Sequence, residues 1–309
     1  MKINKLKSIR KKFKKVFILL ISTFFLVLTK IIIKEAKNNS LIICMCCIVK
    51  LENLYIDDFI SYYKNLGYNH FFIYDNNDVD GEKLKESLYD NNFISIINYR
   101  GFRGKRGGPQ MSAYYNCYDN NKNKCNWISF FDIDEFLILE PNMTIQEFLD
   151  DSRYSDCQSI KLNWRIFSDN NYLEYENKPY MDRFKERKKN HVLNTMTKII
   201  TKGNLSDKII KKSYNPHSIW SNANVCNSQG KKESSNFPKN AYLNHYYSKT
   251  IREYCHKLKK GNVYYNITIN KKVLTRQFKV FFSINNKTKE KVKIFNEEFN
   301  TSFDLKSLL

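Results

Sequence analysis

Apolar stretches alternate with amphipathic ones along the first half of the chain. Residues 41–49 form a continuous apolar run, which is typical of a strand buried on both faces of a sheet. Residues 54–66 place Phe59, Ile60 and Tyr63 at helical spacing, and Gly67 follows where that helix should end. The same patterns predict further helices over 82–89 and 250–260, and strands over 70–74, 93–99, 127–131, 158–164, 195–201 and 241–246.

Strand, helix, strand, helix and strand follow one another within residues 41–99. This order predicts right-handed crossovers and an α/β fold with a mostly parallel central sheet. In such sheets, ligands bind beyond the carboxyl ends of the strands. We therefore expect binding residues in the loops that follow Val49, Tyr74 and Tyr99.

Residues 16–33 are almost entirely apolar and are long enough to cross a bilayer, which needs about 20 residues. Eight basic residues and no acidic one precede this stretch, which predicts a cytoplasmic N-terminus. A cleaved signal peptide is one alternative, but residues 34–36 offer no small-residue cleavage site. A basic amphipathic helix lying in the membrane interface is another. We expect an uncleaved N-terminal anchor helix.

The composition supports a large folded domain with a surplus of positive charge. Hydrophobic residues make up 42% of the 309, which excludes a disordered chain and a small disulfide-stapled scaffold. The net charge of +21 favours an anionic partner such as a nucleotide, although the abundance of lysine and asparagine also fits a biased genome. We expect three parts: an anchor segment over 1–39, a main domain over 40–265 and a basic helical extension over 266–309.

The eight cysteines form no paired Cys-x-x-Cys motifs of the kind that hold zinc. Cys44, Cys46 and Cys47 lie in an apolar run and are expected to be small core residues. The even count permits disulfides without indicating any. The cysteines therefore do not decide between an oxidising and a reducing compartment.

The segment Phe-Phe-Asp-Ile-Asp-Glu-Phe at 130–136 carries the strongest chemical signal. An extended backbone would point Asp132 and Asp134 to the same side at the end of a buried strand. Two carboxylates held together repel unless a cation neutralises them, and a divalent ion can then bridge the phosphates of a nucleotide. The alternative is a strand end whose acidic residues lie at a solvated rim.

Two further segments are candidates for binding anions or metals. Residues 100–109 combine four basic residues with four glycines, which suits either a loop around a diphosphate or a solvated surface loop. Thr250 and Glu253 form a capping-box pattern that predicts a helix, and His245 comes shortly before it. A histidine at this place could complete the coordination shell of a metal ion or contact a phosphate. His217 is the competing histidine.

Several segments, in their order along the chain, resemble the family 92 glycosyltransferases and their family-2-like bacterial relatives. They are residues 49–78, Gln110 before a helix, 127–136, 162–167 and 243–261, and the similarity covers roughly residues 43–262. The resemblance implies a GT-A fold over 40–265, which is a nucleotide-binding α/β sandwich with a D-x-D metal site. It also implies transfer of a sugar from a nucleotide-sugar donor with Mn²⁺ or Mg²⁺.

The resemblance assigns roles to residues at matching positions. Asp132 and Asp134 would form the D-x-D pair and share the metal with His245, and Glu135 would orient the motif. The catalytic candidates are thus Asp132, Asp134 and Glu135. The candidates for binding the nucleotide sugar are Lys50, Glu52, Asp75, Asn76, Arg103, Gln110 and Asp132. Asp78 and Ser168 depart from the family pattern, which usually has serine and glycine there.

An inverting hexosyl transfer, which we expect, needs a base within reach of the acceptor hydroxyl. The sequence does not single out that base. Four carboxylates are equally open: Glu135, Asp169, Asp182 and Glu186.

The expected partners are a nucleotide-sugar donor, a UDP-sugar foremost, a glycan or glycolipid acceptor, and a membrane through residues 16–33. Nucleic acid is not expected, because no recognition motif is present. A spanning anchor fits a Golgi-type enzyme in a eukaryote, whereas a bacterial enzyme should face the cytoplasm at the inner membrane. Two other functions stay open: a haloacid-dehalogenase-type phosphatase, and a membrane-tethered binding module without catalysis.

Overall fold

The computed structural model describes residues 41–89, 91–103, 107–140, 142–206, 215–217, 223–232, 240–260 and 270–308. The predicted anchor over 16–33 lies outside these ranges, as do the domain boundaries expected near residues 39 and 265. None of the helices within the described ranges has the length and apolar character that a membrane span requires. Residues 42–309 form one compact unit.

Four parallel strands form one half of the central sheet. They are β1 (Ile43–Val49), β2 (His70–Asp75), β3 (Ile94–Asn98) and β4 (Trp127–Phe130), and they lie side by side in the order β3-β2-β1-β4. All seven residues of β1 are buried, as expected of a strand covered on both faces. The prediction of an α/β fold with a mostly parallel sheet is confirmed.

The other half of the sheet is mixed. It contains β5 (Glu135–Leu139), β6 (Ser159–Ile166), β7 (Thr197–Lys202), β8 (Val225–Asn227) and β9 (Ala241–His245). β7 runs antiparallel to both β4 and β6, while β9 is parallel to β6 and antiparallel to β5. The sequence did not predict β5, whose pairing places Glu135 opposite His245. This pairing brings the acidic motif against the late histidine.

The described helices are α1 (Ile56–Leu66), α2 (Gly108–Asn121), α3 (Ile145–Leu149), α4 (Tyr180–Arg183), α5 (Ile251–Lys259), α6 (Lys271–Ile284) and α7 (Lys289–Phe299). Short 3-10 helices cover Glu86–Leu88, Ser152–Tyr154, Val192–Thr195 and Leu305–Leu308. α1 buries Phe59, Ile60 and Tyr63 and ends at Gly67, whose φ of 105° suits glycine, as predicted. Thr250 and Glu253 form the predicted capping box at the start of α5.

Helices cover both faces of the parallel strands. α2 packs in one apolar cluster with Cys44, Cys46 and Ile48, which alternate along one face of β1. On the other face, the Tyr63 ring of α1 contacts the rings of Phe131 and Phe136. The turn that follows β4 is therefore held between two packed layers.

Helices α5, α6 and α7 share a separate apolar cluster, which includes Tyr254, Phe278 and Phe295. A buried ion pair joins this cluster to the loop after β6, since Lys291 Nζ lies 2.7 Å from Asp169 Oδ2 and both side chains are 1% exposed. The backbone N–H of Asp169 also donates to Asn285 Oδ1 over 2.7 Å. These contacts fix the helical layer against the sheet.

The prediction of a helix over 82–89 is wrong, because only a 3-10 turn forms, over Glu86–Leu88. The guanidinium of Arg100 binds the loop that precedes this turn. It donates to the backbone oxygens of Asp78, Val79, Gly81 and Glu82. The carbonyl of Glu82 thus already has a donor where a helix would begin.

Cys44 is not the simple core residue that the sequence suggested. It forms a disulfide with Cys125 across 81 positions, and Cys157 pairs with Cys226. The first bridge ties β1 to the segment that leads into β4, and the second ties the start of β6 to β8. Cys46 and Cys47 are buried free thiols, as expected of core residues.

We expect the double variant Cys44→Ala/Cys125→Ala to lose about 2–4 kcal/mol in free energy of unfolding, because the bridge constrains a long loop in the unfolded chain. Urea unfolding followed by circular dichroism measures the loss, and dithiothreitol should destabilise the wild type more than the variant. Thiol titration of the unfolded, unreduced wild type should find only the four free cysteines: Cys46, Cys47, Cys117 and Cys255. A titre of all eight would contradict the assignment.

Candidate active site

A cavity of about 470 Å³ opens beyond the carboxyl ends of β1 and β4. Its polar lining includes Glu52, Gln110, Asp132, Asp134, Lys198, Asn215, His217, His245, Lys257, Lys260 and Gln277. Its apolar lining includes Ile48, Trp164, Tyr247, Leu258, Val273 and Leu274. Charged groups of both signs therefore share one concave site with aromatic and aliphatic surface.

The acidic motif forms a tight turn between β4 and β5. The backbone N–H of Glu135 donates to the carbonyl of Asp132 over 3.0 Å, and the N–H of Asp132 donates to Glu135 Oε2 over 2.9 Å. β4 ends at Phe130, so the expected extended backbone through Asp132 and Asp134 is wrong. The turn nevertheless places both aspartates in the wall of one cavity.

Asp132 is held through a single oxygen. Its Oδ1 accepts from Gln110 Nε2 at 2.7 Å and Tyr114 OH at 3.1 Å, and it pairs with Lys198 Nζ at 2.8 Å. None of the hydrogen bonds between described residues uses Oδ2, and the side chain is 34% exposed. Three donors thus orient the carboxylate while its second oxygen is left for a ligand.

Lys198 is the buried cation beneath the turn. It comes from β7, is 1% exposed, and its Nζ lies 3.6 Å from Glu135 Oε2 as well as against Asp132. Burial alone would lower the pKa of Lys198, but the two carboxylates outweigh it and raise that pKa. Burial raises the pKa of Glu135 well above its ordinary value, against the opposing charge of Lys198. Glu135 is absent from the cavity lining and supports the turn from below.

The carboxylate of Asp134 contacts a lysine and a histidine side chain. Lys257 Nζ lies 2.8 Å from Oδ2 and also donates to the Tyr247 carbonyl over 3.1 Å. His245 Nε2 lies 3.4 Å from Oδ1. Burial alone would raise the pKa of Asp134, but Lys257 and His245 outweigh it and hold the pKa well below its ordinary value.

Asp134 and His245 are the residues best placed to hold a metal ion. The contact of 3.4 Å exceeds an ordinary hydrogen bond, and the buried Nδ1 of His245 has no hydrogen-bond partner. A cation between these two groups would take Nε2 of the imidazole and Oδ1 of the carboxylate as ligands. Within the described part of the chain, no three His, Cys, Asp or Glu side chains converge as a metal-binding group. A metal ion held by these two side chains alone would have most of its coordination shell open to substrate and water.

Four of the predicted nucleotide-binding residues lie outside this cavity, at the carboxyl ends of β1, β2 and β3. They are Lys50, Asp75, Asn76 and Arg103. Asp75 pairs with Arg100 at 2.9 Å, and Lys50 and Arg103 meet on Asp78 Oδ1 at 3.1 and 3.2 Å. The amide of Asn76 donates to the carbonyls of Tyr99 and Phe102. In the structure these side chains hold the loops together.

Glu52 connects that cluster to the cavity. Its Oε1 pairs with Lys260, and the Nζ of Lys260 also donates to the carbonyl of Lys50 over 3.0 Å. Its Oε2 lies 3.7 Å from the buried Nζ of Lys249. Burial lowers the pKa of Lys249 to about 8, against the opposing charge of Glu52. Glu52, which the sequence predicted to bind the nucleotide sugar, therefore lies near the side chains of Lys249 and Lys260. Lys260 links it to the backbone of Lys50.

Sequence reasoning missed Lys257, Lys260, Tyr114 and Trp164 as residues of the site. The two lysines had a usable signal, because the capping box starts α5 and residues three apart lie on one face of a helix. Trp164 had no such signal in the sequence. In the structure it is 6% exposed, and its Nε1 has no hydrogen-bond partner. Only the pairing of β6 with β9 brings it against His245, at 4.2 Å between ring centroids.

The sequence profile of Glycosyltransferase family 92 matches residues 39–279. A family 92 glycosyltransferase protein of Oryza sativa subsp. japonica is 29% identical over 116 residues, which are 38% of this chain and 19% of the relative. Relatives of the same description from Arabidopsis thaliana (32% over 96 residues, 30% and 16%) and Ricinus communis (27% over 106 residues, 34% and 18%) also match. The chain spans less than a fifth of the length of these curated relatives.

We expect Lys198→Met to lower the free energy of unfolding by about 2 kcal/mol at neutral pH, because it leaves the buried Glu135 and the partly exposed Asp132 without their cation. Burial alone raises the pKa of Asp132, and Lys198 outweighs it and lowers that pKa. The wild type gains this stability above the ordinary carboxyl pKa and loses it as the pH falls through the lowered one. In the variant the pKa of Asp132 rises instead, so the deficit should shrink as the pH falls from 7 toward 4.

Urea unfolding at several pH values in metal-free buffer measures this deficit. Lys202→Met is the matched control, since Lys202 ends the same strand and its Nζ donates to the carbonyl of Ser155 rather than to a carboxylate. An equal, pH-independent loss in both variants would rule out the electrostatic explanation.

Proposed function

The chain belongs to glycosyltransferase family 92, and from that premise we propose that it transfers a sugar from a nucleotide-sugar donor to a hydroxyl group of a glycan or glycolipid. One observation carries the proposal: a single cavity joins the carboxylates of Asp132 and Asp134 to the ammonium groups of Lys198, Lys257 and Lys260. Carboxylates suit a divalent cation, and ammonium groups suit phosphates. A nucleoside diphosphate with its metal ion needs both.

A Mn²⁺ or Mg²⁺ ion would be held by Asp134 and His245, and Oδ2 of Asp132 would contact a metal-bound water or the ribose of the nucleotide. The ion would stabilise the negative charge that develops on the leaving diphosphate. The chain's own part is to orient these donors. Lys198, Gln110 and Tyr114 do so for Asp132 through its Oδ1.

Lys257 and Lys260 are the proposed phosphate contacts. Lys257 lines the cavity from α5 and Lys260 from the C-cap of that helix, and the Nζ of Lys257 lies 2.8 Å from Asp134 Oδ2. A flexible ammonium can turn from a carboxylate to a nearby phosphate without unfolding its helix. We propose a UDP-sugar as the first donor to test, with its nucleoside over the ends of β1 to β3, near Lys50, Asp75, Asn76 and Arg103.

The apolar wall of the cavity supports a sugar-bearing acceptor. Trp164 and Tyr247 present aromatic surface there, and Leu258 and Leu274 present aliphatic surface. Pockets that combine apolar walls with a few polar groups suit organic ligands of this size. The same wall suits the C–H face of a sugar ring or the apolar part of a glycolipid.

The two disulfides support a location for the domain. Disulfides persist in oxidising compartments and are rare in the cytosol. We propose that the domain lies in such a compartment, as a Golgi-type single-pass anchor over 16–33 with a cytoplasmic N-terminus would place it.

We expect calorimetric titration of the full-length protein in detergent to show binding of UDP that depends on Mn²⁺, with GDP and CMP as comparison ligands. Asp134→Asn keeps the shape of the side chain and removes its charge, so it should weaken metal-dependent binding by about tenfold or more. Asp119→Asn, an exposed change on α2, is the matched control and should bind as the wild type does. A folded wild type that binds none of the three nucleotides would defeat the proposal and favour the non-catalytic module.

A further inference from the structure

The imidazole of His217 has a defined tautomer in the wall of the cavity. Its Nδ1 lies 2.8 Å from the backbone carbonyl oxygen of Thr197. A carbonyl oxygen only accepts hydrogen bonds, so Nδ1 carries the proton. In the neutral ring, Nε2 then has a free lone pair. The backbone carbonyl thus holds the imidazole in the tautomer that can accept a proton at Nε2.

Three further contacts fix the orientation of this ring. The backbone N–H of His217 donates to Asn215 Oδ1 over 2.9 Å, and Thr197 Oγ1 donates to the His217 carbonyl over 3.2 Å. The ring meets Trp164 edge to face, with centroids 5.1 Å apart. Trp164 also packs against His245. One indole thus positions both histidines of the site.

Burial and the positive charge of Lys198 lower the pKa of His217 and keep its ring neutral in the absence of substrate. Burial lowers its pKa to about 4, and the positive charge of Lys198 and the ring of His245 add to the lowering. The Thr197 carbonyl and the Asp132 carboxylate oppose it. A bound diphosphate would bring negative charge into the same cavity and raise this pKa, which would strengthen the base when the donor is present.

The carboxylates that the sequence left open as bases are engaged elsewhere or lie outside the cavity lining. Glu135 supports the acidic turn, Asp169 pairs with Lys291, and Glu186 accepts from Ser168 and Lys188. Asp182 belongs to the short helix α4. Of the described residues that do line the cavity, Glu52, Asp132 and Asp134 are each paired with a lysine.

We propose that Nε2 of His217 is the general base of the transfer, an assignment that rests on the proposed function. It takes the proton of the acceptor hydroxyl while the hydroxyl oxygen bonds to the anomeric carbon of the donor sugar. The bond from that carbon to the phosphate oxygen breaks, and its electron pair leaves with the nucleoside diphosphate. The imidazolium then returns its proton to water, which reaches this half-buried residue. A single displacement of this kind inverts the anomeric configuration.

The test uses the full-length protein in detergent, with Mn²⁺ and UDP-glucose or UDP-galactose as donors. Methyl glycosides and water serve as acceptors, and NMR reads the configuration of the product as it forms. We expect His217→Gln to lower kcat by about 10²- to 10⁴-fold and to leave the Kd for UDP unchanged. Added imidazole should restore part of the turnover of His217→Ala. His256→Gln, an exposed histidine of α5, should behave as the wild type.

Wild-type turnover by His217→Gln, or a product that retains the donor's configuration, would overturn the assignment while metal-dependent UDP binding kept the proposed function intact. A folded wild type that binds none of UDP, GDP and CMP would instead overturn the proposed function. Should both His217 variants misfold by circular dichroism, the wild-type pH profile decides. A general base predicts that kcat falls on the acid side before unfolding begins, and a flat profile over that range would refute it.

Discussion

Three carboxylates within four residues are the constraint on which the rest of this site depends. Asp132, Asp134 and Glu135 share one turn, and Asp134 and Glu135 are buried. Buried carboxylates at this spacing are strongly destabilising unless cations neutralise them. Lys198 and Lys257 supply the positive charge, at 2.8 Å from Asp132 and Asp134 respectively. Because these lysines come from β7 and α5, the acidic turn determines where two remote elements must lie.

The position of α5 is in turn fixed by a second buried ion pair. Glu253, in the first turn of α5, accepts from Arg183 at 2.8 Å, and both side chains are almost fully buried. The same carboxylate closes the capping box with Thr250 and accepts from Tyr55 of the segment before α1. Buried ion pairs contribute little net stability, but the loss of one partner is costly. They therefore act here mainly as positional constraints on the helix that carries Lys257.

Local patterns were sufficient to predict the strands of the parallel half of the fold. The apolar run of β1, the helical spacing of α1 and the capping box of α5 each depend on neighbouring residues only. The pairing of β5 with β9 and the disulfide from Cys44 join residues far apart in the chain, so no local period encodes them. The same holds for the site: the D-x-D pair was visible in sequence, whereas the pairing of Lys257 with Asp134 spans 123 positions. The tautomer of His217 depends on a backbone carbonyl, which carries no sequence signal at all.

Charge balance links these features to the proposed reaction. Without substrate, Lys198 and Lys257 already compensate Asp132 and Asp134, so a divalent cation alone would add uncompensated positive charge to a partly buried site. A nucleoside diphosphate alone would add uncompensated negative charge. In the proposed reaction the two together would cancel, because a nucleotide sugar is a dianion, so each would favour the binding of the other. When the sugar leaves in the proposed reaction, the diphosphate would gain a further negative charge, and Lys257 and Lys260 in the cavity wall are the proposed cations that compensate it.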